Sequence, residues 1–353
     1  MSITIHIMTA ALSQGDAIGN YILSLNGMLR DWGVRVELYA DFPNPAYPLQ
    51  HQHSSQYHPT GNDILWFHYS IYSDNVHWIT RSPDFVILDS HGICPPHLFA
   101  GYDEQMEELC RKGEQFLPAL AQHSDLAIAH TRFVADGLRG MGFRTIRTLP
   151  LVVDTARFTG VGDPAWEPLL SKLDYLLFVG RVVPQKNLGR SLDLFAALLR
   201  RRPGIKYIIV GGRHLPRYAE ELEIQAARLG IGEDVVFSGP ISEPHTLTSF
   251  FRHARFYLCL SEWESFCVPL AESLHFGTPV LGWEVPPIPE TMGPGGVVLK
   301  GDNEAMAAQI DALWEDPARY RQLQARGQAH VATFTDSGLR AGVLKLLREI
   351  AEG

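Results

Sequence analysis

At 353 residues the chain is longer than one ordinary hydrophobic core requires, so two domains are expected. A hydrophobic content of 46%, a charged content of 20% and a net charge of −9 describe a globular enzyme and argue against nucleic acid as the main partner, while leaving room for an anionic nucleotide. No run is long and apolar enough to span a bilayer, and Met1-Ser-Ile-Thr-Ile-His6 reads as a strand and not as a leader.

The first strand is expected at Ile3 to Met8. A loop containing Gly15, Asp16 and Gly19 follows, then a helix striped by Ile18, Ile22, Leu25 and Leu29 that stops near Gly33. Val34 to Ala40 is the second strand. Strand, loop, helix, strand is the opening of a doubly wound α/β domain, and glycines at the end of its first strand let a ligand approach the backbone. Residues 41–62, with four prolines and with His51, His53 and His58, read as a long solvated loop; no cysteine or carboxylate cluster accompanies them to hold a metal. Strand Ile64 to Phe67 runs into His68. Strand Phe85 to Leu88 runs into Asp89-Ser-His91-Gly92, where a polar side chain faces the ligand crevice of a parallel sheet. Of the two histidines, His91 is favoured for function and His68 is read as bonding its own loop.

A helix from Asp103 to His123, a strand from Leu126 to Ala129, a helix from Thr131 to Gly140 and a strand from Arg144 to Thr148 complete the first half. Arg139, Arg144 and Arg147 would suit weak peripheral contact with an anionic membrane face, although such clusters are ordinarily solvated. Gly160 to Pro168 reads as a linker. The pattern then restarts with strand Tyr175 to Val179, the loop Gly180-Arg-Val-Val-Pro-Gln-Lys-Asn187 and a helix striped by Leu188, Leu192, Phe195 and Leu199, for which Asn187 is the expected cap. Strand Tyr207 to Val210 ends in Gly211-Gly212, and strand Val235 to Phe237 ends in Ser238-Gly-Pro240. The four cysteines, Cys94, Cys110, Cys259 and Cys267, include no Cys-x-x-Cys spacing and read as reduced thiols in the cytoplasm.

The most informative stretch is 256–281. Phe256 to Leu260 is an interior strand, Pro269 marks a helix start and Gly277 its stop. No Ser, Thr, Asp or Asn stands at the cap near Val268, so the first N–H groups of that helix lack a side-chain partner and can receive a phosphate or a sugar hydroxyl. Glu264 precedes the helix and Glu272 lies inside it, so two carboxylates can reach two parts of one elongated ligand.

Glu264-Ser-Phe-Cys-Val-Pro-Leu-Ala-Glu272 followed by Gly277-Thr-Pro-Val280 resembles the Glu-x7-Glu motif of the family-four retaining glycosyltransferases. Gly180-Arg181 with Lys186 resembles that family's diphosphate-binding turn, His91-Gly92 a first-domain histidine near the donor sugar, and Leu149 to Asp154 the exit from the first domain. The resemblance covers the second half closely and the first half loosely. It implies an α/β GT-B architecture of two Rossmann-like, doubly wound domains facing across a cleft. Residues 1–158 would be the acceptor-side domain, 159–335 the nucleotide-sugar domain, and 336–353 a helix packing back on the first.

It further implies transfer of a hexosyl unit, with retention, from a UDP- or GDP-linked sugar to a saccharide or lipid-linked acceptor in polysaccharide or glycoconjugate synthesis. Arg181 and Lys186 would hold the diphosphate and Glu272 the ribose. Glu264 and the N–H groups near Phe266, Cys267 and Val268 would grip the sugar, with Gly212 beside the base, Gly15 and Asp16 beside the phosphates and acceptor, and His91 near the transferred sugar. No metal and no cofactor beyond the substrate is implied, because the cations replace it. A nucleotide-sugar epimerase and a non-catalytic sugar-nucleotide binder are the alternative readings; product formed without acceptor would mark the first, and lack of donor hydrolysis the second. Two departures bear on the acceptor side: Gln185 stands where many members carry an acid, and the opening loop reads Gln-Gly-Asp in place of Gly-Gly.

Overall fold

The computed structural model describes residues 3–13, 16–153, 158 and 161–352, so Gly15 lies outside the described residues. The chain divides into two compact units. Unit 1 comprises Met1–Ala100, Glu104–Val152 and Asp336–Gly353, and unit 2 comprises Gly101–Asp103 and Val153–Thr335. The division thus falls between Val152 and Val153, where the sequence suggested residue 158.

Unit 1 is built on a seven-stranded sheet with the order β3-β2-β1-β4-β5-β6-β7. The strands are β1 (Thr4–Ala11), β2 (Arg35–Phe42), β3 (Gln52–His53), β4 (Ile64–Tyr69), β5 (Phe85–Ser90), β6 (Leu126–Ala129) and β7 (Ile146–Thr148). Every pairing is parallel, for example Ile7 of β1 beside Leu38 of β2 and Trp66 of β4. All six residues of β4 are buried, as expected of a parallel strand covered on both faces. The long loop expected over 41–62 carries a short edge strand, β3, which adds to β2 through Tyr39 and Ala40. The prolines that dominate this segment hide so brief a pairing from any period-2 pattern. Helix Asp336–Glu352 belongs to this unit, and Arg340 meets Asp31 at 2.8 Å while Glu349 meets Arg147 at 2.9 Å.

Unit 2 repeats the architecture with six parallel strands in the order β10-β9-β8-β11-β12-β13. These are β8 (Tyr175–Val179), β9 (Lys206–Val210), β10 (Val235–Gly239), β11 (Phe256–Cys259), β12 (Val280–Gly282) and β13 (Gly296–Val298). Leu176, Phe178, Phe195, Ile209, Phe256 and Leu258 form the centre of its core. Burial of such side chains contributes about 1.5–3 kcal/mol each before the entropy cost of ordering the chain. In each unit the strand order reverses direction between two central strands, β1 and β4 in unit 1, β8 and β11 in unit 2. Loops leaving the carboxyl ends of such a pair diverge and open a crevice for a ligand.

Candidate functional site

In unit 2 the two loops at the reversal point are those after β8 and β11. The β8 loop is held open in a fixed shape by backbone bonds to its neighbours: Gly180 N–H donates to Val210 O at 2.9 Å and Val182 N–H to Gly212 O at 3.0 Å. Gly211 cannot carry a side chain here, because a Cβ would overlap the Gly180 carbonyl oxygen. The loop then tightens into a single 3-10 turn, Pro184–Lys186, and Asn187 enters the left-handed region at φ 50°. Asn187 precedes helix Leu188–Arg201 as expected, but its side chain makes no capping bond. Cap geometry needs an extended backbone, and the left-handed conformation that Asn tolerates points its amide elsewhere.

Buried Gln185 gives its carbonyl to Glu262 N–H at 2.9 Å, which ties the β8 loop to the β11 loop. Across that tie Lys186 Nζ meets Glu264 Oε1 at 2.6 Å, and Ser261 Oγ donates to the same oxygen at 2.7 Å. Glu264 is 5% exposed. Burial opposes the charge on Lys186, yet the Glu264 carboxylate and the neighbouring thiols outweigh it and raise the Lys186 pKa above its ordinary value. Arg181 stands exposed earlier on the same loop.

Immediately after Glu264 the chain passes through Phe266 and Cys267 into helix Val268–His275. Cys267 occupies the cap position in the left-handed region, φ 73°, and no side chain caps the helix. A non-glycine residue held there is unusual for a bulky side chain. Its first N–H groups therefore receive no side-chain cap, and Pro269 in the first turn removes one donor. Glu272 lies inside the helix and is buried. The structure thus brings Lys186, Glu264, Phe266, Cys267, Val268 and Glu272 to one end of the unit 2 sheet, with Gly212 on the adjoining loop.

Sequence spacing concealed two features of this site. Ser261 shares the Glu264 oxygen, and the thiols of Cys259 and Cys267 lie 4.0 Å apart, although they stand eight positions apart in sequence. The hydrogen bond to Cys259, with burial, holds the Cys267 thiol well above its usual pKa. Cys259, Glu264 and Cys267 bring ligand-type atoms within 4.8 Å of one another, but Lys186 already pairs with the carboxylate.

In unit 1 the residues at the sheet's carboxyl end are tied to one another and to the chain's own backbone. Asp16 caps helix Ala17–Asp31, accepting from Gly19 N–H at 2.6 Å. Gly19 is required by the chain's own packing, because a Cβ there would overlap the Ser13 carbonyl. His51 is satisfied within its loop, accepting from Asn44 N–H at 2.9 Å and donating to Leu49 O at 2.8 Å. His68 and His91, read from sequence as competitors, are partners: His68 Nδ1 lies 2.9 Å from His91 Nε2. The reason is register, since β4 and β5 pair His68 beside Asp89 and bring the residues that follow them together.

Asp89 is fully buried and gathers this cluster. Trp66 Nε1–H donates to its Oδ2 at 2.9 Å, and His130 Nε2 lies 2.9 Å from its Oδ1. The ring of Tyr21 stands edge-on to His68, His91 and His130. Burial works against the charge of Asp89, but the three imidazoles, His130 foremost, hold its carboxyl well below the usual range. His68, Asp89 and His91 also offer three metal-ligand atoms within 4.8 Å of one another. Asp89 and His130 carried no motif that could single them out from the sequence. Among the described residues no helix is long and apolar enough to cross a membrane.

Comparison with known proteins places this geometry in context. Residues 166–330 match the family model described as glycosyl transferases group 1. The chain is 26% identical to a D-inositol 3-phosphate glycosyltransferase of Segniliparus rotundus, over 82% of this chain and 68% of that protein. Further relatives of that description match over 35–57% of their own length, so the matched stretch spans about half of them. Among solved structures, sucrose-phosphate synthase from Thermosynechococcus elongatus superposes with a TM-score of 0.77 at 18% identity, covering 99% of each chain. Anabaena HepE in complex with UDP and glucose superposes with a TM-score of 0.77 at 16% identity, covering 98% of this chain and 100% of that one. This likeness is one of fold, two parallel-sheet Rossmann-like domains of the GT-B architecture, and it agrees with the expectation from sequence.

Proposed function

From the match of residues 166–330 to the glycosyl transferases group 1 model, we propose that the protein transfers a hexosyl unit from a nucleoside diphosphate sugar to a saccharide or lipid-linked acceptor, with retained anomeric configuration. The observation that carries this reading is the buried Lys186–Glu264 pair, 2.6 Å across, beside a helix start that no side chain caps. An incoming pyrophosphate competes with Glu264 for Lys186. As Lys186 turns to the phosphates, Glu264 is freed to accept a hydroxyl of the sugar, so donor binding and sugar recognition are one exchange.

Arg181 supplies a planar fork to the diphosphate and Lys186 a point charge. Both stabilise the negative charge that grows on the phosphate as the anomeric carbon–oxygen bond breaks, which is the largest contribution a preorganised site makes. The N–H groups of Phe266, Cys267 and Val268 take sugar or phosphate oxygens. Glu272 receives the ribose hydroxyls, and Gly212 lets the base lie close to the backbone. The acceptor oxygen bonds to the anomeric carbon on the face the phosphate leaves, and its proton passes to a leaving phosphate oxygen. His91 acts on a saccharide hydroxyl. In this scheme two side-chain cations do the work of a divalent metal at the diphosphate, and the substrate is the only small molecule required. The fold shared with a protein solved with UDP and glucose supports the choice of donor class.

The test is turnover against a panel of UDP- and GDP-linked hexoses with simple saccharide and lipid acceptors, in the presence of EDTA, with the product anomer read by NMR. Retained configuration, EDTA-insensitive rates and loss of transfer in Arg181→Ala and Glu264→Ala are expected. Product that forms from donor alone would instead mark an epimerase, and intact transfer in both variants would overturn the assignment of roles.

A further inference from the structure

The four-residue cluster of unit 1 fixes more than packing. His130 Nδ1 lies 2.9 Å from the Leu149 carbonyl oxygen. A carbonyl only accepts, so Nδ1 carries a hydrogen. The other nitrogen, Nε2, lies 2.9 Å from Asp89 Oδ1. A bare lone pair there would face a carboxylate in the protein interior. Neither His130 Nε2 nor Asp89 Oδ1 has an aligned hydrogen bond, so the two are held together by packing and charge. His68 and His91 are held neutral by burial.

The hydrogen of His68 can then be placed. Its Nε2 is buried with no partner, whereas its Nδ1 faces His91 Nε2 at 2.9 Å and Asp89 Oδ2 at 3.7 Å. With the hydrogen on Nε2, a buried N–H would be orphaned and a lone pair would face the carboxylate. With it on Nδ1, the N–H donates to His91 and leans toward Asp89, and only a lone pair is left alone. An unmet acceptor is tolerated better than an unmet N–H. His91 Nε2 must accept, and the single hydrogen of a neutral His91 sits on Nδ1. Burial drives both rings to neutrality, with His68 pushed down to about 4 and His91 well below the usual histidine value.

We propose that Asp89, His130 and His68 are positioning residues that set the tautomer of His91, so that His91 presents an Nδ1–H to a saccharide hydroxyl. The role toward the saccharide rests on the transferase reading above; the tautomer does not. Most neutral histidines can exchange between tautomers, and this ring is held in one by three residues that do not themselves touch substrate.

Long-range 1H–15N spectra of histidine-labelled protein at neutral pH read the tautomer directly. The expected wild-type result is a protonated Nδ1 and an unprotonated Nε2 for His91. In His68→Leu the donor is gone and the His91 signals shift toward the opposite tautomer. His68→Asn, whose amide N–H occupies the place of the lost Nδ1–H, restores them. In turnover assays His68→Leu lowers kcat about tenfold with little change in donor KM, and His68→Asn recovers most of it. An Nε2–H on wild-type His91, the same spectrum in His68→Leu and wild type, or purified protein carrying stoichiometric zinc on His68, Asp89 and His91 would each overturn the proposal. A folding defect of either variant at this buried site would show in circular dichroism; Asp89→Asn, which removes the carboxylate that His68 Nδ1 leans toward, is then the second variant, and an unchanged His91 spectrum in it also overturns the proposal. The predicted spectrum together with no transfer to any acceptor from any donor would leave the tautomer standing and remove the transferase reading.

Discussion

Lys186 and Glu264 stand 78 positions apart in sequence and form a buried ion pair at 2.6 Å. Removing one member of such a pair leaves an uncompensated charge, whereas removing both leaves a gap that apolar atoms fill. Lys186→Met is therefore expected to lower stability by about 3 kcal/mol. The double variant Lys186→Met with Glu264→Leu is expected to lose less than the two singles summed. Urea denaturation of the four proteins measures this, and strict additivity would show that the two groups do not depend on one another.

Arg181 offers the contrasting case. It is exposed, so its loss should leave stability within about 0.5 kcal/mol of wild type. If it stabilises a departing diphosphate, Arg181→Ala should nevertheless lower kcat about a hundredfold, and Arg181→Lys should recover only part of that because the planar fork is lost. Steady-state kinetics beside a thermal melt separates the two effects.

The imidazole cluster sets the acid limb of stability. His68 has a folded pKa of about 4 against an ordinary 6.5, because burial penalises its charged form. As pH falls from about 6.5 to about 4 the unfolded chain takes up protons that the folded chain refuses, so stability declines across that window. The groups facing His68 are Asp89, His91, His130 and Tyr21. Asp89 adds a separate loss at lower pH, since its pKa is depressed and its contribution vanishes as the folded carboxylate is protonated. His91, also lowered by burial, shares the first window, so His68→Asn should shrink that window by the His68 share and leave the second, as followed by chemical denaturation from pH 7 to 3.

Two glycines on one helix should respond in opposite directions. Gly19→Ala places a methyl against the Ser13 carbonyl, a backbone atom that cannot move aside cheaply, and should destabilise by about 1–3 kcal/mol. Gly27 is exposed, and a methyl added there would meet nothing within 4 Å, so Gly27→Ala should stabilise by about 0.5–1 kcal/mol through helix propensity. Melting temperatures of the two variants decide this.

What could be read in advance follows the physics of each signal. Alternating buried strands and striped helices are local and periodic, which is why both parallel sheets and the helix start at Val268 were legible. The Glu264 to Glu272 spacing and the Gly180 to Lys186 loop are compact motifs, so the elements of the unit 2 site could be named before their contacts were known. The histidine cluster was not legible because it joins the ends of three strands: His68 after four buried neighbours of β4, Asp89 within β5 and His130 just beyond β6. Only sheet register brings them together. The packing demand on Gly19 was hidden for a related reason, since a glycine that lets a ligand approach and one demanded by the chain's own carbonyl look alike in sequence. Asn187 likewise has the composition of a cap, but its backbone conformation, set by the turn before it, decides otherwise.

Helix Asp336–Glu352 is joined by sequence to unit 2 and by its ion pairs to unit 1. A ribosome therefore delivers the last piece of the first module only after the whole second module has been made. Until then Asp31 and Arg147 wait without the arginine and glutamate that meet them. A premature stop at residue 335 would leave every described strand of both sheets in the chain, yet the injury would fall on the module whose strands were made first.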